Sequence, residues 1–337
     1  MGAEVKTNVA VSAAVRKEWG MEISVLVDQP GELCEEAIQA LAGWGQLIVP
    51  SSNDRSELMK YLPGVEAVLS WGNTKLDAGF IKACAPQTKV ISITGIGVDN
   101  VDLETAETCG IRVVNTPGVN ANAVAEYTIG ALISAIRHIY SSAGMVKQEK
   151  WVQADEFTSW ELRGSTIGVI GLGSIGKRVC QLLSAFDCDL LGYDPYVDKT
   201  VGTDYCVDLV DVDRLCRNSD AICIHAPLTE ESFHLINSER IALLKKHTVV
   251  INAGRAPVVD EDRLYPALKN QDLAGYVTDV FPVEPPDLSN PIYKLNNVIA
   301  THHIGAMTDK AVAGMQATAI TNIKAVIRGQ APSNIVV

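Results

Sequence analysis

The chain has 337 residues, enough for two ordinary domains with separate cores. Hydrophobic residues make up 47% of it and the mean hydropathy is +0.13, which suits a compact soluble α/β protein and excludes a disordered one. A net charge of −12 argues against nucleic acid and against an anionic membrane as partners, because phosphate binding needs basic surface.

Residues 1–20 have no strong pattern and read as an extension. They carry no apolar run of the signal-peptide kind, so a cytoplasmic protein is expected. From residue 22 onward strand and helix alternate. Strands are expected at 23–27, 46–49, 66–71, 89–94 and 112–115, and helices at 32–41, 56–62, 76–84 and 103–109. This is a small doubly wound α/β domain. The segment Asn115-Thr116-Pro117-Gly118 reads as a crossing point, after which one long helix over 121–140 carries the chain away. Its apolar stretch is interrupted by Glu126 and Arg137, so it reads as a buried or interdomain helix and not a membrane span. A loop over 151–163 follows. Further strands are expected at 165–170, 189–193, 221–224, 247–253, 275–280 and 298–300, with helices between them and a last helix at 309–327. The eight cysteines are scattered, with no C-x-x-C pair and no Cys/His cluster at metal spacing. Reduced, mostly buried thiols are expected, and no metal.

The densest signal is Thr166-Ile167-Gly168-Val169-Ile170-Gly171-Leu172-Gly173-Ser174-Ile175-Gly176. A short apolar strand runs into G-x-G-x-x-G, and Ile175, Val179, Leu182, Leu183 and Phe186 then fall at helical spacing. Gly171 permits the tight turn, Gly173 lets a pyrophosphate approach the backbone, and Gly176 lets helix and strand pack closely. The helix N-terminus, at Ser174 and Ile175, offers unpaired N–H groups to those phosphates. A second strand ends at Asp194, where a carboxylate grips an adenosine ribose. Strand, glycines, helix, strand and acid in one short run point to dinucleotide binding.

Open parallel sheets bind ligands beyond the carboxyl ends of their strands. Those ends carry Asp194, His225-Ala226-Pro227, Asn252-Ala253-Gly254-Arg255, Asp279 and Thr301-His302-His303. Arg255 could form a surface ion pair. Beside a dinucleotide its planar guanidinium suits bidentate grip of a carboxylate and polarisation of a keto oxygen. Either histidine could be a satisfied core residue or a proton donor and acceptor near neutral pH. Glu284 could be a solvated loop acid or the carboxylate that orients and charges an imidazole.

Taken in order, Gly95-Ile96-Gly97-Val98-Asp99-Asn100-Val101-Asp102, Ala125-Glu126-Tyr127-Thr128, the 171–176 turn, Tyr193-Asp194-Pro195, His225-Ala226-Pro227-Leu228-Thr229, Asn252-Ala253-Gly254-Arg255, Asp279-Val280-Phe281 and His303-Ile304-Gly305 resemble the NAD-dependent D-2-hydroxyacid dehydrogenases. The resemblance covers almost the whole chain. It implies a Rossmann NAD-binding domain at 116–303, inserted in a discontinuous, flavodoxin-like substrate domain at 21–115 and 304–337. It implies Arg255 as substrate clamp, Glu284 as the histidine's partner and His303 as acid/base. Cofactor contacts are implied at Thr128, Gly171, Gly173, Ser174, Ile175, Gly176, Asp194, Pro195, His225, Ala226, Pro227, Ala253, Gly254 and His303, with Asp279 near the nicotinamide amide. Substrate contacts are implied at Trp71, Asn73, Gly95, Ile96, Arg255 and His303, and a homodimer joined through the NAD domain.

Three departures stand out. His302 occupies the place of the family's usual proline, Ala256 follows Arg255 where the family has glycine, and Trp71-Gly72-Asn73 stands where the phosphoglycerate branch carries basic residues. NAD is favoured over NADP by the acid at 194, and an unphosphorylated acid by the uncharged loop at 71–73. The reaction implied is hydride transfer between NAD(H) and a small 2-oxo or 2-hydroxy acid. Two alternatives are a formate-type oxidoreductase, which would place glutamine at 284, and a noncatalytic NAD-sensing protein on the same fold.

Overall fold

The computed structural model describes residues 23–28, 33–41, 44–72, 74–153, 157 and 159–337. The proposed extension at 1–20 and Asn73 lie outside them. In chain order the elements are β1 Ile23–Val27, α1 Glu35–Leu41, β2 Gly45–Ile48, α2 Arg55–Tyr61, β3 Ala67–Ser70, α3 Ala78–Cys84, β4 Val90–Ile93, α4 Leu103–Thr108 and β5 Arg112–Val114. There follow α5 Ala121–Ile136, α6 Ile139–Lys147, β6 Thr166–Ile170, α7 Ser174–Leu183, β7 Asp189–Tyr193, α8 Thr200–Asp204, β8 Asp208–Leu209, α9 Val212–Asn218 and β9 Ala221–Ile224. The chain closes with α10 Ser238–Ile241, β10 Val249–Asn252, α11 Glu261–Lys269, β11 Gly275–Thr278, β12 Val298–Ala300 and α12 Asp309–Ile327.

These elements form two compact units. The first holds the described residues up to Asn120 together with Asp309–Val337. Its sheet is parallel, in the order β2-β1-β3-β4-β5, the flavodoxin-like order. β3 and β4 are buried along their whole length, as strands covered on both faces must be, and apart from Ser70 and Ser92 their residues are apolar. Asp77 and Asp102 cap α3 and α4 by accepting the N–H of Phe80 and Thr105. On one face, Ala319, Ile320 and Ile323 of α12 enter a core with Val25, Val27, Leu41, Leu69 and Val90. The order reverses between β1 and β3, so their carboxyl ends, Asp28 and Ser70, border the crevice where such sheets take ligands.

The second unit, Ala121–Thr308, carries the sheet β12-β11-β10-β9-β6-β7-β8, with every pairing parallel. From β6 outward this is the Rossmann order, reversing between β6 and β9. The units meet at 120/121 and 308/309 in sequence, five residues beyond the junctions at 115/116 and 303/304 suggested by the motifs. Local bonds explain the offset: the Thr116 N–H donates to Gly95 O in the first unit, while Ile304 and Gly305 N–H donate to Asp279 in the second.

The single helix expected over 121–140 is instead two. His138 takes a left-handed φ of 52° and breaks it, and a second helix, α6, runs on to Lys147; histidine is one of the few side chains that tolerates this conformation. All eight cysteines are free thiols, four of them buried and Cys206 exposed. Burial pushes the thiols of Cys84, Cys180 and Cys216 up to about 12. Among the described residues no helix is long and apolar enough to cross a membrane.

Candidate active site

Strand register builds the rim of the second unit. Ile170 pairs with Tyr193 on one side and Ile224 on the other; Ile224 pairs with Asn252, Asn252 with Thr278, and Thr278 with Ala300. The next residue of each strand therefore stands in one row: Asp194, Gly171, His225, Ala253, Asp279 and Thr301. Gly171 has φ +87°, and a Cβ there would lie 2.6 Å from Ala226 N. A Cβ at Gly254 would lie 2.8 Å from Ala226 O. Three loops distant in sequence thus converge backbone to backbone, at a spacing only glycine allows. A Cβ at Gly176 would overlap the Gly171 carbonyl oxygen, which fixes how closely α7 approaches the turn. Gly173 differs: nothing lies within 4 Å of its Cβ position. It precedes the first turn of α7, whose leading N–H groups receive no side-chain cap. Asp194 ties the turn to β7, accepting Leu172 N–H at 2.8 Å and Tyr196 N–H at 2.9 Å.

Farther along the row, Asn252 is fully buried and closes the 252–255 turn. Its Oδ1 accepts Gly254 N–H at 3.1 Å and its Nδ2 donates to Arg255 O at 3.0 Å. The turn presents a half-buried Arg255, whose Nη1 donates to Gly254 O at 2.9 Å. His303 Nδ1 lies 2.9 and 2.8 Å from the two oxygens of Glu284, so the ring is gripped through that nitrogen. Burial alone would raise the Glu284 carboxyl. The His303 hydrogen bond and charge, with a further contribution from Arg255, outweigh it and hold the group below the usual range. His303 itself sits at φ +56°, an uncommon conformation for a residue with a Cβ and one that recurs at functional sites.

In the first unit, the turn after β4 leaves the N–H groups of Gly95 and Ile96 without a partner among the described residues. Their carbonyls are occupied by Thr116 N–H and Asn115 Nδ2. Asn115 is held in turn by Asn322 Nδ2 at 3.1 Å and Asn334 Nδ2 at 2.5 Å. Trp71 is half-buried at the end of β3, and its indole N–H is shielded from solvent without a partner among the described residues.

The family model for the NAD-binding domain of D-isomer specific 2-hydroxyacid dehydrogenases matches residues 129–305, just over half of the 337. The chain belongs to this family. It is 38% identical over 315 residues to a D-3-phosphoglycerate dehydrogenase of Methanocaldococcus jannaschii, covering 93% of this chain but only 59% of that protein. To a hydroxypyruvate reductase of Thermotoga maritima it is 38% identical over 282 residues, 83% of this chain and 90% of the relative. A D-lactate dehydrogenase from Aquifex aeolicus, solved with NAD and lactic acid, superposes with a TM-score of 0.84 at 29% identity, covering 93% and 98% of the two chains. The family's dinucleotide fits the residues present here. The open cradle at Gly173, the uncapped N-terminus of α7 and the carboxylate at Asp194 are a pyrophosphate and ribose donor set.

Two of the residues expected to contact the cofactor have shielded side-chain polar atoms. Thr128 is fully buried and its hydroxyl donates to Val124 O four residues back. His225 stands in the rim row with both ring nitrogens buried and without partners among the described residues, and burial lowers its pKa to about 3, so the ring is neutral. Asp279 has a second task that its motif did not reveal. Its Oδ1 accepts Thr301 Oγ1 at 2.6 Å and Ile304 N–H at 2.8 Å, and its Oδ2 accepts Gly305 N–H at 2.7 Å. Since Thr301 donates there, the Tyr127 hydroxyl, 2.6 Å away, donates to Thr301. The His303 turn is thus anchored through Asp279, Thr301 and Tyr127. Of the three only Asp279 was readable as functional, because neutral hydroxyls on a strand end and a helix carry no motif.

Proposed function

We propose that the chain is an NAD-dependent D-2-hydroxyacid dehydrogenase acting on a small, unphosphorylated 2-oxo or 2-hydroxy acid in the cytoplasm. The observation that carries the reading is the two-oxygen grip of Glu284 on His303 Nδ1, on the same rim as Arg255 and the dinucleotide turn. NAD(H), when bound, supplies or accepts the hydride. Arg255 holds the substrate carboxylate in its fork and polarises the keto oxygen. His303, held through Nδ1 by Glu284, gives its Nε2 proton to the alkoxide as it forms, and in the other direction it takes the proton back. Arg255 and the imidazolium together stabilise the oxyanion.

The carboxylate at Asp194 favours the ribose 2′-hydroxyl and repels a 2′-phosphate, so NAD is preferred to NADP. A homodimer joined through the second unit is supported by α6. None of its residues is buried, Ile139, Tyr140 and Val146 are more than half exposed, and Trp151 beyond it is 84% exposed. An apolar patch of that kind marks an interface. NADH oxidation with a panel of 2-oxo acids tests the central reading. Turnover of at least one small unphosphorylated acid is expected; inactivity throughout, with NADH still bound, would leave a cofactor-sensing protein.

A further inference from the structure

Glu261 opens α11 directly after its N-cap, Asp260, at the far end of the loop that begins with Arg255. Its carboxylate is shared by two tyrosines of the second unit. Oε1 accepts the hydroxyl of Tyr276, on β11, at 3.0 Å. Oε2 accepts the hydroxyl of Tyr293, in the short 3-10 turn Pro291–Lys294, also at 3.0 Å. Burial, with a smaller push from Asp262, moves the carboxyl upward, and the two hydroxyls oppose that.

Each tyrosine leads on to a segment of the rim. Tyr276 is completely buried, and its hydroxyl also lies against the Asn252 amide. Asn252 closes the near end of the Arg255 turn, through Gly254 N–H and Arg255 O, and Glu261 stands at the far end. The Tyr276 hydroxyl therefore joins the two ends of the loop that presents Arg255. Tyr293 leads to Glu284. Its ring meets Phe281 edge-on, with centroids 5.4 Å apart. The Phe281 N–H in turn donates to Glu284 Oε1 at 3.3 Å. Pro282, Val283 and Pro285 are all exposed, so this segment has little core of its own to fix it. Apolar side chains in place of the carboxylate and its hydroxyls would pack as well at lower cost. What the carboxylate supplies is a fixed distance between the two hydroxyls.

We propose that Glu261 is a positioning residue: by holding the Tyr276 and Tyr293 hydroxyls on its two oxygens, it sets the Arg255 turn and the Glu284 segment in register with each other. The inference rests on the dehydrogenase reading and deepens it, since those segments carry the groups assigned to substrate binding and proton transfer. A misplacement of ~1 Å is enough to cost on the order of 10²-fold in rate.

The test measures kcat and KM for NADH-dependent reduction of glyoxylate and hydroxypyruvate, with NADH affinity by fluorescence and melting temperature alongside. Glu261→Ala should lower kcat/KM by ~10-fold or more with NADH affinity little changed. The amide in Glu261→Gln can accept from one hydroxyl and donate to the other, so this variant should recover most of the loss. Tyr276→Phe and Tyr293→Phe keep their rings and lose one arm each. Tyr276→Phe should raise KM for the oxo acid ~3-fold or more with kcat less affected, because it frees the Arg255 loop. Tyr293→Phe should lower kcat by a similar factor with KM little changed, because it frees the Glu284 segment. Leu268→Ala, on the same helix and in the same core, is the control. It should lower the melting temperature with kcat and KM within about 2-fold of the parent.

An active Glu261→Ala protein with constants within about 2-fold of the parent's overturns the inference alone. So does a Leu268→Ala protein that loses as much activity, which would mean general loosening, or a Glu261→Gln as impaired as Glu261→Ala. Phenylalanine variants that move neither constant, or both move the same one, overturn it too. If Glu261→Ala does not fold, the two phenylalanine variants decide; if they also fail to fold, the network is structural and the inference fails. A parent that binds NADH yet reduces neither acid overturns the dehydrogenase reading and this inference with it.

Discussion

Two adjacent histidines occupy the rim at 302 and 303, and the Glu284 contacts separate them. Only His303 is gripped by a carboxylate, so His303→Ala should lower turnover by ~10²- to 10⁴-fold with NADH affinity little changed, and His302→Ala should do far less. Steady-state rates and a binding titration decide it, and a crippled His302→Ala would reverse the assignment. Glu284→Gln keeps the hydrogen-bonding shape and removes the charge. It leaves the ring without the charged carboxylate that grips Nδ1 through both oxygens, so kcat should fall by ~10-fold or more in both directions with NADH affinity little changed. An unchanged kcat would refute that role. The lowered Glu284 pKa also has a stability sign. Its contribution is present above the unfolded value near 4.5 and is lost as pH falls through the folded value, so the melting-temperature gap between parent and Glu284→Gln should close on acidification.

At the level of elements, the turns and not the helices decide what the rim can do. Gly171→Ala forces a Cβ on to the Ala226 N–H at a positive φ. It should weaken NADH binding by at least ~10-fold while unit two, whose core lies under the sheet, stays folded by circular dichroism. Eleven of the twelve strands were legible in the sequence as short runs bounded by turns, and the resemblance implied both sheet types; β8, Asp208–Leu209, is too short and polar to be read. The dinucleotide turn and the Arg255, Glu284, His303 set were legible too, since each needs a residue type no neighbour can replace. What escaped reading was set by tertiary context. The break at His138 involves no proline or glycine. The inward turn of Thr128 depends on which face of α5 meets the sheet. The amides of Asn322 and Asn334, which brace Asn115 beneath the Gly95 turn, come from the far end of the chain. Asn322 is completely buried and also accepts the Ser333 N–H and hydroxyl. Asn322→Ala should therefore cost ~2–4 kcal/mol in urea unfolding; a change under ~1 kcal/mol would show that the brace is dispensable.

For the whole molecule, the proposed dimer makes a mass prediction: Tyr140→Glu combined with Val146→Glu on α6 should shift the protein to monomer in sedimentation, and an unshifted dimer would place the interface elsewhere. The interrupted first unit bears on something other than chemistry, namely the order in which the protein acquires its structure while being made. Its sheet is complete once β5 has emerged, but the face that Ala37 and Leu41 of α1 cover in part waits for α12, which follows the 188 residues of the second unit. At ribosomal speeds of ~5–20 residues per second, the core of Val25, Val27, Leu69 and Val90 would lack Ala319, Ile320 and Ile323 for roughly 10 to 40 s. The later-made unit can finish first, because all its strands and covering helices are contiguous. Nascent chains should thus show protease protection over 121–308 before 44–120, and their period of greatest risk of aggregation should fall within that interval. Simultaneous protection of both segments, or earlier protection of the first, would mean that the open sheet is covered by some other means during synthesis.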